Sequence, residues 1–149
     1  MKNNLLVLLI LVMLSFSSIY AQNRFGLGII LGEPTGVSAK LWTGSSNALD
    51  FAAAWSFKGD GHLLLQGDYV WQNYIDQTPT GRVTWYYGIG GRVIFSDDPL
   101  VGARVPIGLD YKFSNAPVDI FAEIVPILDI IPSTNFNLGG GIGVRFWFN

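Results

Sequence analysis

Cysteine is absent from the chain. Disulfide staples, thiolate metal sites and a lipid-bearing cysteine are therefore all excluded. Charge is scarce as well: Asp, Glu, Lys and Arg together make up 13% of the 149 residues. A disordered chain would be rich in charge and poor in aromatics, whereas aromatics here reach 14%. Excess charge of one sign is small, net −2, so no basic face for nucleic acid is implied and no nucleic-acid partner is expected. The length allows one domain rather than two.

The one long apolar run stands at the start. Lys2 supplies a positive n-region, residues 5–14 are unbroken apolar sequence, and Ser15, Ser17 and Ser18 lead to Ala21. A membrane-crossing helix needs ~20 apolar residues, so this run is too short to span. It reads as a signal peptide over residues 1–21 for Sec-type export, cleaved near Ala21/Gln22, with a mature domain over 22–149.

After that run, segments of alternating character recur between turn signals. Eight strands are expected, over 24–31, 37–43, 48–57, 62–72, 81–95, 101–113, 118–128 and 135–148. The turns between them are Gly-, Pro-, Asn- and Asp-rich, and the longest connection is read over residues 73–80. An even number of strands places both ends of the domain on one side.

The two faces of these strands differ. Leu49, Phe51, Ala53 and Trp55 share one face against Asp50 and Ser56. Val83, Trp85, Tyr87, Ile89 and Val93 oppose Arg82, Thr84 and Arg92. Strands 101–113 and 135–148 repeat the pattern, with large apolar residues on one face and glycine and charge on the other. A soluble barrel would hold the bulky apolar residues inside and charge outside. Eight strands leave room only for packed side chains, so the large apolar residues cannot all point inward. The expected fold is an all-β, eight-stranded antiparallel up-and-down transmembrane β-barrel with its apolar face toward lipid. Phe25, Trp71, Tyr74, Trp85, Tyr111, Phe113 and Phe148 are read as one aromatic girdle; Trp55, Phe57, Phe95 and Phe136 form the other.

The inward face then carries the candidate site. It gathers the bases Lys40, Arg82, Arg92, Arg104, Lys112 and Arg145 with the acids Asp50, Asp68, Asp110, Asp119 and Glu123. Near-balance of charge fits a closed interior, where each ion needs a partner. Trp42, Tyr86, Phe121 and Trp147 are read as filling the space left by inward glycines. The reading is a polar plug that fixes register, set against a proton or ion pathway.

Chemistry elsewhere is thin. His62, the single histidine, stands at a turn with Ser56 and Asp60 near it in sequence, which is ordinary turn content rather than a triad. Asp97 and Asp98 before Pro99 read as turn residues. The glycines of 139–143 lie inside a strand pattern with no following helix, so a phosphate loop is excluded. No catalytic residue, cofactor or metal is expected.

Residues 28–36 (Gly-Ile-Ile-Leu-Gly-Glu-Pro-Thr-Gly), 87–92 (Tyr-Gly-Ile-Gly-Gly-Arg) and 139–148 (Gly-Gly-Gly-Ile-Gly-Val-Arg-Phe-Trp-Phe) resemble a family of small bacterial outer-membrane barrels. The resemblance implies the architecture of the OmpX-like and OmpA-like membrane barrels and brings no catalytic residues. The last strand resembles the assembly signal of such proteins, except that Asn149 follows Phe148. The expected location is thus the outer membrane of a Gram-negative cell. Expected partners are outer-membrane lipid, the barrel-assembly machinery and an unidentified surface ligand. No soluble domain follows, so peptidoglycan tethering is not expected. The expected role is structural or surface-interacting. The alternatives are an outer-membrane lipid-modifying enzyme and a soluble periplasmic barrel for an apolar ligand.

Overall fold

A computed structural model describes residues 25–33, 35–56 and 62–148. Residues 1–24, 34, 57–61 and 149 lie outside the described residues, and with them the expected signal peptide over 1–21, the expected strand ends at Arg24 and Phe57 and the expected turn at 58–61. The described residues form nine strands and no helix. These are β1 Phe25–Glu33, β2 Gly36–Trp42, β3 Asn47–Ser56, β4 His62–Gln77, β5 Gly81–Phe95, β6 Leu100–Arg104, β7 Ile107–Phe113, β8 Val118–Ile131 and β9 Asn135–Phe148. All pairings are antiparallel, and β1 pairs with β9, so the sheet closes into a ring. A closed ring has no free sheet edge for another chain to pair with.

The expected sixth strand, 101–113, is divided in two. Pro106 has no N–H to donate to a ladder, and regular pairing stops around it. The two pieces still share one lane, because β6 and β7 both lie between β5 and β8. Hydrogen bonds bridge the gap: the Val105 N–H donates to the Pro126 carbonyl and the Gly88 N–H to the Pro106 carbonyl, both at 3.0 Å. Alternation also passes through the break. Arg104, Pro106 and Asp110 are buried, while Val105, Ile107 and Leu109 are exposed.

Two other boundaries differ from the sequence reading. Strand β4 runs on to Gln77, so the connection expected over 73–80 shrinks to a tight turn at 78–80. A register shift between Tyr74 and Asp76 absorbs the extra residue. Strand β8 reaches Ile131, which takes Asp129 out of the loop expected at 129–134.

Burial is inverted relative to a water-soluble protein. Ile89, Ile124, Phe136, Leu138 and Ile142 are each about 60–70% exposed, while Lys40, Arg104, Asp119 and Arg145 are at most 2% exposed. Among the residues whose side chains are described, the one charged outer position of a strand is Asp76, at the end of β4 opposite Val83. Elsewhere the described outer face is apolar, glycine or alanine, edged by Asn47 and Asn73. Outer aromatics stack at the end where the chain ends meet, Trp71 on Tyr87 at 5.6 Å, Trp85 on Tyr87 at 5.3 Å, and Phe25 on Phe148 at 6.0 Å, while Trp55, Phe95 and Phe136 are exposed toward the other end. The Phe25–Phe148 pair brings the two ends of the described chain together.

Candidate functional site: the charged interior of the ring

Every second residue of a strand points into the ring, and this alternation alone collects the charges. Strands β2, β3, β7, β8 and β9 bring Lys40, Asp50, Asp110, Asp119 and Arg145 to one level. Arg145 lies directly opposite Asp119 in the β8–β9 register. Its Nε stands 3.2 Å from Asp119 Oδ1, its Nη1 3.2 Å from Asp50 Oδ1, and its Nη2 3.3 Å from Asp110 Oδ2. One guanidinium fork thus ties β9 to three other strands, and its face lies 4.1 Å above the Phe121 ring. Lys40 Nζ stands 4.0 Å from both Asp50 and Asp110, 5.0 Å from the rings of Trp42 and Tyr86, and donates to Gln72 Oε1. Gln72 Nε2 passes the chain on to Thr84 Oγ1 at 2.7 Å.

A second cluster is built on Arg104. Its Nε stands 2.9 Å from Asp68 Oδ1, although that contact lacks hydrogen-bond alignment. Its Nη2 is 3.5 Å from Glu123 Oε1, and its Nη1 donates to Gln66 Oε1. The Tyr86 hydroxyl donates to the other Glu123 oxygen at 2.8 Å. A third cluster pairs Arg92 with Asp129, Nη2 to Oδ2 at 2.8 Å, with Asn137 Nδ2 donating to the same carboxylate. Asp129 is 2% exposed. The sequence reading ended the strand at 128 and left Asp129 in the loop that follows, and its alternation with Asp119, Phe121 and Glu123 is the signal that places it inside.

Arg82 and Lys112 hold inward register positions but stand apart from these clusters. Both are exposed at the end of the ring where the chain ends meet. Arg82 lies 5.3 Å from the Tyr74 ring and Lys112 5.1 Å from the Trp147 ring. Tyr74, read as part of the outer aromatic girdle, partners Thr84 on the inward register instead. Among the described residues the interior cations are therefore Lys40, Arg92, Arg104 and Arg145. They meet the carboxylates of Asp50, Asp68, Asp110, Asp119, Glu123 and Asp129.

Apolar bulk fills the rest. A methyl group on Gly143 would fall on the Phe121 ring, one on Gly108 on the Tyr86 ring, and one on Gly26 within 3.0 Å of the Trp147 ring. Among the described residues, Ser38, Asp50, Gln66 and Glu123 border an interior cavity of ≈ 10 Å³. That is space for about one water molecule. Such an interior can lock strands together through shared ions, and this cavity is too small for an organic substrate.

The other candidates are dispersed. His62 is exposed at the start of β4, opposite Ser56 in register, and Asp60 lies outside the described residues. Asp97 and Asp98 are exposed in the turn after β5, where Ser96 Oγ donates to the Asp98 carbonyl at 2.9 Å. Residues 139–143 lie within β9. Among the described residues no group of three His, Asp or Glu side chains is placed to hold a metal ion. No family model, curated protein or solved structure matches the chain.

Proposed function

We propose that the chain is a small integral outer-membrane β-barrel protein with a plugged polar lumen, acting as a structural or surface-interaction element without catalysis. In this reading β6 and β7 count as one membrane crossing broken at Pro106, which makes an eight-stranded up-and-down barrel. The observation that carries it is the contrast of faces. Among the described residues, outer strand positions hold no charge except Asp76 at the end of β4, while ten charged side chains pair with one another inside. Water could not solvate that outer surface favourably, whereas hydrocarbon can, and closure gives backbone groups partners without water. The outer recesses fit as well. One of ≈ 710 Å³ is bordered by Leu31, Trp85, Ile107, Leu109, Ile124 and Ile142, a surface that acyl chains would fill.

The described interior is occupied by paired charges, which weighs against a soluble carrier with an apolar chamber. The scatter of His62, Asp97 and Asp98 gives a lipid-modifying enzyme no assembled site. The test is cell fractionation. The protein should sediment with outer membranes, resist carbonate extraction and change gel mobility on heating. Recovery as a detergent-free periplasmic monomer would overturn the reading.

A further inference from the structure

Arg82 and Lys112 are direct partners in the β5–β7 register, so the two side chains leave the same face at neighbouring positions. Like charges directly opposite each other are destabilising unless something neutralises them. No carboxylate stands within ion-pair distance of either among the described residues. Asp119, opposite Lys112 in the β7–β8 register, is buried and held by Arg145. Both cations are exposed, and each is steadied by an aromatic face, Tyr74 under Arg82 and Trp147 under Lys112. Beside Lys112 a recess of ≈ 350 Å³ opens, bordered by residues 113–117 and Trp147. The Trp147 indole N–H has no acceptor among the described residues.

We propose that this pair is a binding site for a phosphate-bearing anion at the end of the ring where the chain ends meet. A guanidinium can offer two parallel N–H groups to two phosphate oxygens, and the ammonium beside it supplies a second positive charge. The same chemistry is presented by a phospholipid headgroup and by a small soluble phosphate. The lipid source rests on the outer-membrane reading, since it requires this end to lie at headgroup depth and the headgroup to reach over the rim to inward-register side chains; the soluble source does not.

The experiment uses the protein in an uncharged detergent. Native mass spectrometry measures retention of phosphatidylglycerol against diacylglycerol of the same chains, and calorimetry measures binding of inorganic phosphate. Arg82→Gln, Lys112→Gln and the double variant are compared with wild type, with heat-dependent gel mobility as the check on folding. Phosphatidylglycerol should be retained over diacylglycerol, with about a fivefold loss for each neutralised cation and about 25-fold for both. Competition by inorganic phosphate would show that the phosphate alone suffices. Binding of inorganic phosphate without lipid preference, lost in the double variant, would support the soluble source. Equal retention of the two lipids with no phosphate binding overturns the proposal, as does a folded double variant that binds like wild type. A protein that stays monomeric without detergent would defeat the membrane reading separately, and the phosphate arm would still decide the site.

Discussion

Arg145 and Asp119 face each other across the β8–β9 pair, Nε to Oδ1 at 3.2 Å, and neither is more than 2% exposed. The pair is held in the ring interior, where an ion without a partner is far costlier than in water. Replacing Arg145 by Met leaves Asp50, Asp110 and Asp119 short of one shared partner. Arg145→Met should therefore destabilise the fold by about 3–5 kcal/mol, measured by reversible urea unfolding in lipid vesicles. Arg92→Met should cost less, because Arg92 is 13% exposed and Asp129 keeps Asn137. Equal losses at both positions would show that burial does not set the strength of these pairs.

The outer wall gives the opposite expectation. Ile107 and Val144 point outward, with no ion near them to receive a charge. On the outer-membrane reading, Ile107→Arg or Val144→Arg should lose about 2–4 kcal/mol if the site is near the bilayer midplane. Thr84→Ser keeps the hydroxyl that Gln72 donates to and should lose far less. The same unfolding assay checks all three. A harmless Arg on the outer wall would mean that this face meets water.

How much of this was legible in the sequence follows from period two. Alternation places each side chain by parity, so Lys40, Asp50, Asp68, Asp110, Glu123 and Arg145 could be grouped before any coordinates. Parity is silent on depth along the ring. That is why Arg82 and Lys112 joined the interior list although they stand at its mouth. Strand ends were misjudged where polarity or proline imitates a turn. Asn73 and Asp76 extend β4 within a hairpin, and Asp129 continues the inward register just before Pro132. The break at Pro106 was hidden because its neighbours keep perfect alternation, and only the missing N–H interrupts the ladder.

Glycine inside the ring can be tested as space already occupied. Gly143 carries no side chain where the Phe121 ring lies, and Arg145 stacks on that ring. Gly143→Ala sets a methyl group against that ring and 2.6 Å from the Ile29 carbonyl oxygen, and should cost about 1–3 kcal/mol. Adding Phe121→Leu to Gly143→Ala should recover part of that loss, because the smaller side chain makes room for the new methyl group. The coupling between the two changes, read from a double-mutant cycle, should be clearly different from zero. Simple additivity would mean that the glycine is there for some reason other than the ring.

Orientation is the last question, and the absence of native thiols makes it direct. Phe25 and Phe148 stack at one end of the ring, and the 78–80 turn lies at that same end, since Gln77 pairs with Arg82 and Gly81 with Phe113. The turn after β5, with Asp97 and Asp98 exposed, lies at the other end. Barrels with an even number of crossings insert with both chain ends in the periplasm. Gln77→Cys should then be shielded on intact cells, and Asp98→Cys should react with a membrane-impermeant maleimide. Both should react once the outer membrane is permeabilised, which controls for accessibility of the thiols themselves. The reverse pattern on intact cells would turn the molecule over. The cationic pair Arg82 and Lys112 would then face the cell exterior, and its phosphate would have to come from the outer leaflet.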